Sequence, residues 1–388
     1  MDRILSLMMQ CIKSVINKER LDSGLFDSIT EDELKKLFTL SKKHDVAHLV
    51  SYTIAENEIS LADKEVSKIL KKQHPIAVLR YESTNQTFGL ICDLFEKNKI
   101  PFIPLKGVTI REHYPAPWMR TSCDLDVLVH ENDMSKAIEL LTCKGGYEKE
   151  KIGTHDVSLF SPNGTHVELH HMLAEVYYDN EAGKMLDNVW KYAHKKEGFE
   201  YQYSLSDEFY YFYHIYHTAK HFECGGCGIR PFVDLFILDN KVSYDRKRRE
   251  ELLESGGLLK FARHCQDLSD FWFSNGKENE VLIKMQDYIV KGGVYGTSNN
   301  KKALKKAKNN KFEYIFGRVF LSYDKLKIQY PAIKKHEWLT PIYQVRRWFK
   351  LFVPKHLKKA KESMDFVLME ETPELYAVSV FLKQLGLK

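Results

Sequence analysis

The chain has 388 residues, of which 44% are hydrophobic and 29% are charged, and its formal net charge is +5. This composition is typical of a folded globular protein and excludes an intrinsically disordered chain, and so small a net charge is not by itself a sign of nucleic-acid binding. The seven cysteines, an odd number scattered along the chain, favour a reducing, cytoplasmic location over a disulfide framework.

The first 73 residues are predicted to be a helical segment. Thr30 and Glu33 form the pattern of a capping box at a helix start, and Ser60 with Asp63 suggests a second one. The first 20 residues lack the apolar core of a signal peptide, and no stretch is long and apolar enough to span a membrane. Spacings of three and four connect the apolar residues of the first helix, which are Ile4, Leu7, Met8, Cys11, Ile12, Val15 and Ile16. We expect this segment to serve packing and to shape a substrate site.

A further helix, predicted from Ile76 to Lys97, leads into the stretch that carries the chemistry, residues 100–129. This stretch is predicted as a short strand over residues 101–105, a turn, a brief helix through Tyr114, and a second strand that contains Asp124 and Asp126. Two carboxylates two positions apart on a strand share one face, because successive side chains alternate. Their mutual repulsion would be relieved by a bound cation.

The turn before the brief helix has the properties of a phosphate site. Gly107 allows a close approach of the backbone, Lys106 adds a positive charge, and the amides at the helix start are unpaired. A phosphate-binding turn followed by paired carboxylates is the arrangement that transfer of a phosphate-bearing group requires.

The third carboxylate of such a site is predicted downstream, after a helix that begins at residue 132 or 133 and ends at the Gly145-Gly146 pair. Residues 157–160 and 166–171 are predicted as two strands of a hairpin, joined by the Asn-Gly turn of residues 161–164. In the second strand Glu168 lies on the face opposite Val167 and Leu169. The alternative for Glu168 is an edge-strand glutamate in water.

In these features the chain resembles the uncharacterised nucleotidyltransferase-family proteins of the minimal, DNA polymerase beta-like superfamily. The residues that carry the resemblance are Leu105-Lys106-Gly107, Tyr114-Pro115, Arg120, the run from Asp124 to Val129, Val167-Glu168-Leu169-His170, the run from His217 to His221, Arg230 and Asp234, and more loosely the region of Tyr330-Pro331. One departure is Lys106-Gly107-Val108, where the superfamily usually has a Gly-Gly or Gly-Ser pair.

The resemblance implies a palm of mixed strands flanked by helices, and a reaction at the alpha-phosphate of a nucleoside triphosphate. Asp124 and Asp126 would hold Mg²⁺ or Mn²⁺, and Glu168 would act as a further ligand or as the general base. Gly107 would begin the nucleotide-binding turn, and Lys106 and Arg120 would offset the charge of the triphosphate. The alternative for Arg120 is an ion pair with Asp124 or Asp126 that holds the loop.

The remainder, from about residue 179, is predicted to be mostly helical, with helices over residues 185–192 and 206–222. His217, His221, Cys224 and Cys227 suggest a zinc site, but a helix ending just before the cysteines would have to bend sharply to close it. The resemblance instead favours a polar face turned to the active-site cleft, either near the acceptor or orienting other groups. This face consists of His217, Lys220 and His221, of which Lys220 would reach a phosphate, and Arg230 and Asp234 are expected nearby on the next helix. His170, next to Glu168 on its strand, is placed with His217, His221, Arg230 and Asp234 among the residues that contact the acceptor or support the site. The alternative for these residues is a plain core or capping role.

Residues 291–361 are markedly basic, with one lysine run over residues 301–311 and a second basic group of Arg346, Arg347 and Lys350. Aromatic residues, among them Phe312, Tyr314 and Trp338, are interleaved with these charges. Such a region would suit RNA or an anionic membrane. The alternative is a solvated helical face.

The sequence therefore predicts an α+β protein with three parts: helices over residues 1–73, a nucleotidyltransferase palm over 74–175 and a helical domain over 176–388. The predicted activity is metal-dependent transfer of a nucleoside monophosphate to a hydroxyl-type acceptor on a small molecule, a protein or an RNA. The alternative is a non-catalytic protein that senses nucleotide, or one that binds RNA through the basic C-terminal region.

Overall fold

The structure is a computed structural model that describes residues 2–61, 64–153, 155–174, 181–223, 225–294 and 296, and then 320–321, 323, 326, 330, 333, 336–351 and 373–387. The chain forms two compact units. The first comprises Met1–His221 and Gly226–Tyr295, and the second comprises Phe222–Gly225 and Gly296–Lys388. The predicted boundaries near residues 73 and 175 both fall within the first unit, so the three-part division stays a prediction.

Helices form the N-terminal part of the first unit, as the apolar spacing predicts. Their bounds are α1 Arg3–Asn17, α2 Glu31–Lys43, α3 Ala47–Glu56, α4 Lys64–Lys71 and α5 Gln73–Lys97. The capping box is confirmed, because the Thr30 hydroxyl accepts from the Glu33 amide while the Glu33 carboxylate accepts from the Thr30 amide. Asp63, from the second predicted cap, lies outside the described residues. The apolar stripe of α1 is buried.

Five described strands form one mixed sheet in the order β1-β2-β5-β4-β3. They are β1 Phe102–Pro104, β2 Asp124–Val129, β3 Glu148–Ile152, β4 Asp156–Phe160 and β5 His166–His170. The predicted hairpin is confirmed as β4 and β5, which pair antiparallel. Strand β2 pairs parallel with β5, and the other neighbours are antiparallel. The short helices α6 Gly107–Ile110 and α7 Met134–Glu139 complete this region.

One face of the sheet packs into a hydrophobic core. Leu125, Val127 and Val129 of β2 lie there with Val167 and Leu169 of β5, and all five are 0% exposed. Residues of α5 and α7 belong to the same core. Because side chains alternate along a strand, Asp124 and Asp126 of β2 and Glu168 of β5 all lie on the opposite face.

The rest of the first unit is mainly helical. Its elements are α8 Glu181–Asp187, the strands β6 Ala193–Lys195 and β7 Tyr203–Leu205, and the helices α9 Asp207–Glu223, α10 Arg230–Lys241, α11 Arg246–Ser255, α12 Leu259–Phe273 and α13 Glu280–Gly292. The hydroxyl of Ser206 accepts from the Phe209 amide at 3.3 Å and caps the start of α9, which begins close to the predicted helix start at residue 206. Strands β3, β6 and β7 are not predicted by the sequence.

The second unit contains two described helices, α14 Thr340–Leu351 and α15 Pro373–Gln384. A 3₁₀ turn, Glu337–Leu339, precedes α14. The lysine run at 301–311 and the aromatic residues Phe312 and Tyr314 lie outside the described residues. None of the described helices is long and apolar enough to cross a membrane.

His48 on α3 is a buried histidine whose titration affects stability. It is 5% exposed, and its Nε2 lies 2.8 Å from the carbonyl oxygen of Met119. Burial lowers the pKa of His48 to about 4, despite the hydrogen bond to Met119. The folded protein therefore resists protonation of His48 between about pH 6.5, the unfolded value, and pH 4.

We expect His48 to remove about 3 kcal/mol of unfolding free energy as the pH falls from 7 to 4, because the unfolded chain binds the proton more tightly. His48→Gln keeps an amide donor for the Met119 carbonyl but cannot titrate. Urea denaturation at several pH values should therefore show that the unfolding free energy of the variant falls less steeply with decreasing pH than that of the wild type. Parallel pH profiles of the two proteins would refute the assignment.

Candidate active site

The turn between β1 and α6 has a strained backbone. Lys106 has φ 48° and ψ −118°, a conformation that glycine adopts far more readily than lysine. The Tyr210 hydroxyl of α9 donates to the Lys106 carbonyl at 2.8 Å, and the Thr109 hydroxyl donates to the Pro104 carbonyl at 3.1 Å. These contacts hold the turn in a shape that directs the Lys106 side chain to the sheet face carrying the carboxylates.

Gly107 lies against the loop that precedes β2. A Cβ atom at this position would be 3.2 Å from both Cβ and Oγ of Ser122, and 3.5 Å from Nη1 of Arg120. The turn therefore needs glycine for close approach, as the sequence predicts. Ser122 is itself engaged, because its hydroxyl lies 2.8 Å from Oδ1 of Asp124.

We expect Gly107→Ala to displace Ser122 by a few tenths of an ångström and to cost about 1 kcal/mol of unfolding free energy. Gly89→Ala on α5 is the matched control, because its Cβ would meet nothing within 4 Å. Alanine should raise stability there by about 0.5–1 kcal/mol, through better helix propensity. Chemical denaturation of both variants tests this, and equal effects at the two glycines would contradict the close approach.

The carboxylates meet through the parallel pairing of β2 with β5. In this register Asp124 is opposite His166, and Asp126 is opposite Glu168. The Asp126 side chain is 1% exposed, whereas that of Glu168 is 26% exposed. Asp126 is thus the buried centre of the group, and Glu168 is its solvent-accessible edge.

A lysine ammonium and a histidine imidazole contact Asp126. The Lys106 ammonium is 2.8 Å from Oδ1 of Asp126, and Nε2 of His170 is 2.9 Å from the same oxygen. Burial disfavours the Asp126 carboxylate, but the charge of Lys106 and the hydrogen bond from His170 outweigh it and lower the pKa of Asp126. Burial likewise disfavours charge on Lys106, yet the attraction of Asp126 raises the pKa of this ammonium.

His170 bridges the two carboxylates. Its Nε2 is 3.4 Å from Oε2 of Glu168, in addition to its contact with Asp126. Burial opposes the charged imidazole, but the hydrogen bonds to Asp126 and Glu168 raise the pKa of His170. The hydrogen bond with His170 is also the main reason that the pKa of Glu168 is lowered.

Asp126, Glu168 and His170 form a group that could hold a metal ion. One ligand atom from each lies within 4.8 Å of the others, and no second group of this kind occurs among the described residues. The Asp124 carboxylate does not belong to this group of three and accepts from Ser122 instead. His170 is predicted to contact the acceptor or to support the site, and the structure places it beside the carboxylates, on the period-two face of Glu168.

Arg120 lies in a buried network behind the turn. Its Nε donates to Oδ1 of Asp234 at 2.6 Å, and its Nη1 donates to the Thr121 carbonyl at 2.6 Å. The Tyr114 hydroxyl donates to the same Asp234 oxygen, also at 2.6 Å. The alternative of an ion pair with Asp124 or Asp126 is therefore wrong. Asp234, which comes 114 positions later in the chain, takes that place.

Burial disfavours ionisation of Asp234, but the charge and the hydrogen bond of Arg120 outweigh it and lower the pKa of this carboxyl. Arg230, on the same helix α10, takes part in a separate contact. Its Nη1 is 2.8 Å from Oδ2 of Asp45 and 3.1 Å from the Thr121 carbonyl oxygen. The residue pair Arg230 and Asp234 thus fixes the loop that leads into β2.

Helix α9 brings further side chains to the site. His217 and His221 are adjacent, with 3.3 Å between their Nε2 atoms. Burial, followed by the positive charge of Lys106, lowers the pKa of His217 well below its usual value. The charges of Lys106 and Asp126 also act on Tyr213, a residue that the sequence analysis did not single out. Tyr210, Tyr213 and His217 recur at spacings of three and four, and this helical stripe was the available signal.

The predicted zinc alternative gains no support from the described part of the chain. Cys224 lies outside the described residues. Cys227 is 2% exposed, and among the described residues the group of side chains that could hold a metal ion contains no cysteine. The predicted contact of Lys220 with a phosphate stays a prediction.

Residues 30–274 match the family described as uncharacterised nucleotidyltransferase, which is more than half of the chain. No curated protein and no solved structure matches the sequence. The mixed sheet with its flanking helices confirms the α+β architecture and the predicted nucleotidyltransferase palm. On this match, the chain belongs to the uncharacterised nucleotidyltransferase family.

Proposed function

We propose that this protein transfers a nucleoside monophosphate from a nucleoside triphosphate to a hydroxyl group, with help from a divalent cation. The observation that carries the proposal is the group of Asp126, Glu168 and His170, whose ligand atoms lie within 4.8 Å of one another, beside Lys106. A cluster of two carboxylates and a lysine on one face of a small sheet suits a substrate that carries several phosphates.

The donor set fits a hard divalent cation. Asp126 and Glu168 supply carboxylate oxygens, which Mg²⁺ and Mn²⁺ prefer, and Asp124 precedes them on the same strand face. An imidazole is more usual for Mn²⁺ than for Mg²⁺, so His170 would favour manganese if it becomes a ligand. A cation bound there would neutralise phosphate oxygens and stabilise the charge that builds up on them during transfer.

The side chains of the site would supply the other functions that the transfer reaction requires. Glu168 is the most accessible of the three residues, with a side chain that is 26% exposed. We assign it as the general base that takes the proton of the acceptor hydroxyl. The resulting oxygen attacks the alpha-phosphorus, the bond from that phosphorus to the bridging oxygen breaks, and pyrophosphate leaves with the electron pair.

Lys106 would neutralise the negative charge that builds up on the triphosphate as pyrophosphate leaves. Its side chain is 23% exposed, so the ammonium can move from Asp126 to a phosphate oxygen. Arg120 is assigned a positioning role, because its Nε and Nη1 are already bonded to Asp234 and Thr121. Arg230 and Asp234 support the same loop, and His217 and Lys220 of α9 would face the triphosphate or the acceptor.

The test is calorimetric titration of each of the four ribonucleoside triphosphates, with and without Mg²⁺ or Mn²⁺. We expect one or more nucleotides to bind in a cation-dependent manner, and Glu168→Gln to weaken this binding about tenfold. The matched control is Glu150→Gln, an exposed glutamate on β3, which should leave the affinity unchanged. Absence of cation-dependent binding to any of the four nucleotides would refute the proposal.

Turnover is measured separately, as cation-dependent release of pyrophosphate when small-molecule, protein and RNA acceptors are supplied. Pyrophosphate release that occurs with the wild type and is lost in Glu168→Gln would support transfer. Nucleotide binding without pyrophosphate release from any acceptor class would indicate the alternative function, nucleotide sensing without catalysis.

A further inference from the structure

The balance of basic and acidic residues changes at the boundary between the two units of the chain. Residues 296–388 contain 20 Lys and Arg against 8 Asp and Glu, whereas residues 1–295 contain 38 against 45. The compact units divide at the same place, since the second unit resumes at Gly296. The small overall charge of +5 thus hides an acidic first part and a strongly basic second part.

Helix α14 of the basic unit exposes an apolar stripe. Trp338, in the turn before the helix, is 72% exposed, and Ile342, Val345 and Phe349 are 56%, 44% and 71% exposed. Their spacings of four, three and four place them on one face of a helix. We call these four residues the α14 stripe. Large apolar side chains this exposed, and in a continuous row, mark an interaction surface.

The opposite side of α14 is anchored to the core of its own unit. Gln344 is buried, and its side-chain amide donates to the Leu321 carbonyl. Tyr343 packs on Tyr330 with 5.0 Å between ring centroids, beside a small core that also contains Ile333. These contacts fix the rotation of the helix, so the stripe faces away from the described core of this unit.

A positive charge flanks the stripe. Arg346 is exposed and lies one helical turn from Ile342, with its guanidinium carbon 5.8 Å from the centre of the Tyr343 ring. An amphipathic helix with tryptophan and phenylalanine on its apolar face and arginine beside it is typical of helices that lie in the membrane interface.

We propose that the basic unit binds an anionic lipid bilayer, with the α14 stripe inserted at the level of the headgroups. RNA fits the stripe less well, because bases stack on aromatic rings and not on Ile342 or Val345. A second copy of this chain also fits less well, because two strongly basic units repel each other. An anionic bilayer satisfies both the apolar row and the excess positive charge.

The experiment is co-sedimentation of the full chain with phosphatidylcholine vesicles and with vesicles that contain phosphatidylserine in addition. We expect the partition coefficient to be about tenfold higher on the anionic vesicles, and to fall as salt is raised. Trp338→Ser combined with Phe349→Ser should lower it about tenfold, because two interfacial aromatic anchors are lost. A thermal melt shows whether this double variant is still folded.

The matched control is Leu79→Ser combined with Leu90→Ser, which changes two apolar residues of α5 that are 69% and 51% exposed in the acidic first unit. This control should bind anionic vesicles as wild type does. Equal binding to the two kinds of vesicle, or equal losses in the two double variants, would overturn the proposal. Tight binding of a single-stranded RNA that the stripe substitutions weaken, with no vesicle binding, would also overturn it and would assign the surface to RNA.

Discussion

Asp126→Asn is expected to lower the unfolding free energy by about 3 kcal/mol at pH 7 and to abolish binding of divalent cations. The carboxylate is buried and contacts the Lys106 ammonium at 2.8 Å and the His170 imidazole at 2.9 Å. An amide in its place leaves the Lys106 ammonium without a counter-charge and weakens the contact with His170, and it removes the central oxygen ligand of the group. Urea denaturation measures the first effect, and calorimetric titration with Mn²⁺ measures the second.

The loss of stability should depend on pH in a defined direction. Because the pKa of Asp126 is lowered in the folded protein, the ionised carboxylate stabilises the fold fully above the unfolded value of about 3.9. This contribution fades as the pH falls below that value, so wild type and variant should converge in acid. The control is Asp93→Asn on the exposed face of α5, which should change stability by less than about 0.5 kcal/mol. Retention of Mn²⁺ binding by Asp126→Asn would exclude this carboxylate from the metal site.

Asp234→Asn is expected to be at least as destabilising, with a loss of about 3–5 kcal/mol. The side chains of Asp234 and Arg120 are 3% and 9% exposed, and the Tyr114 hydroxyl donates to the same carboxylate oxygen. Removing the negative charge leaves a buried guanidinium unpaired. The loop that carries Arg120 packs against Gly107, so we also expect weaker nucleotide binding. Urea denaturation and nucleotide titration of the same sample give the two effects.

Asp239, on the same helix α10, is the matched control for Asp234. It pairs with Arg249 at 2.8 Å, but its side chain is 23% exposed. Burial raises the pKa of Asp239 although Arg249 partly offsets this, so ionisation of Asp239 is disfavoured in the folded protein. Asp239→Asn should therefore change stability by less than about 1 kcal/mol. Equal losses in the two variants would show that the network around Arg120 has no special importance.

The sequence predicts the local elements around the site because their patterns are short in range. Alternation in β2 separates Asp124 and Asp126 from Leu125 and Val127, and Asn163-Gly164 marks the turn of the hairpin. Strand β3 escapes prediction because all five of its residues are exposed, so its sequence shows no apolar alternation. Strand β3 is defined by its antiparallel pairing with β4, because its own residues do not indicate a strand.

The contents of the candidate site depend on contacts between residues far apart in the chain. The sequence singles out Lys106, Asp126, Glu168 and His170, but it does not say that the ammonium and the imidazole both contact Asp126. Nor does it show that Arg120 pairs with Asp234, because any of several buried carboxylates would satisfy a guanidinium. Local patterns do not encode such choices, which depend on strand register and helix packing.

The amino-acid sequence by itself therefore determined the family, the α+β class and which face of β2 carries carboxylates, because periodicity and motif spacing are properties of neighbouring residues. Only the tertiary structure decided that Asp126 is the buried centre of the site, with Glu168 opposite it and Lys106 and His170 as its partners. The physical reason is that parallel pairing of β2 with β5 joins strands separated by helix α7 and the two strands β3 and β4, and the register of this pairing is set by burial of their shared apolar face.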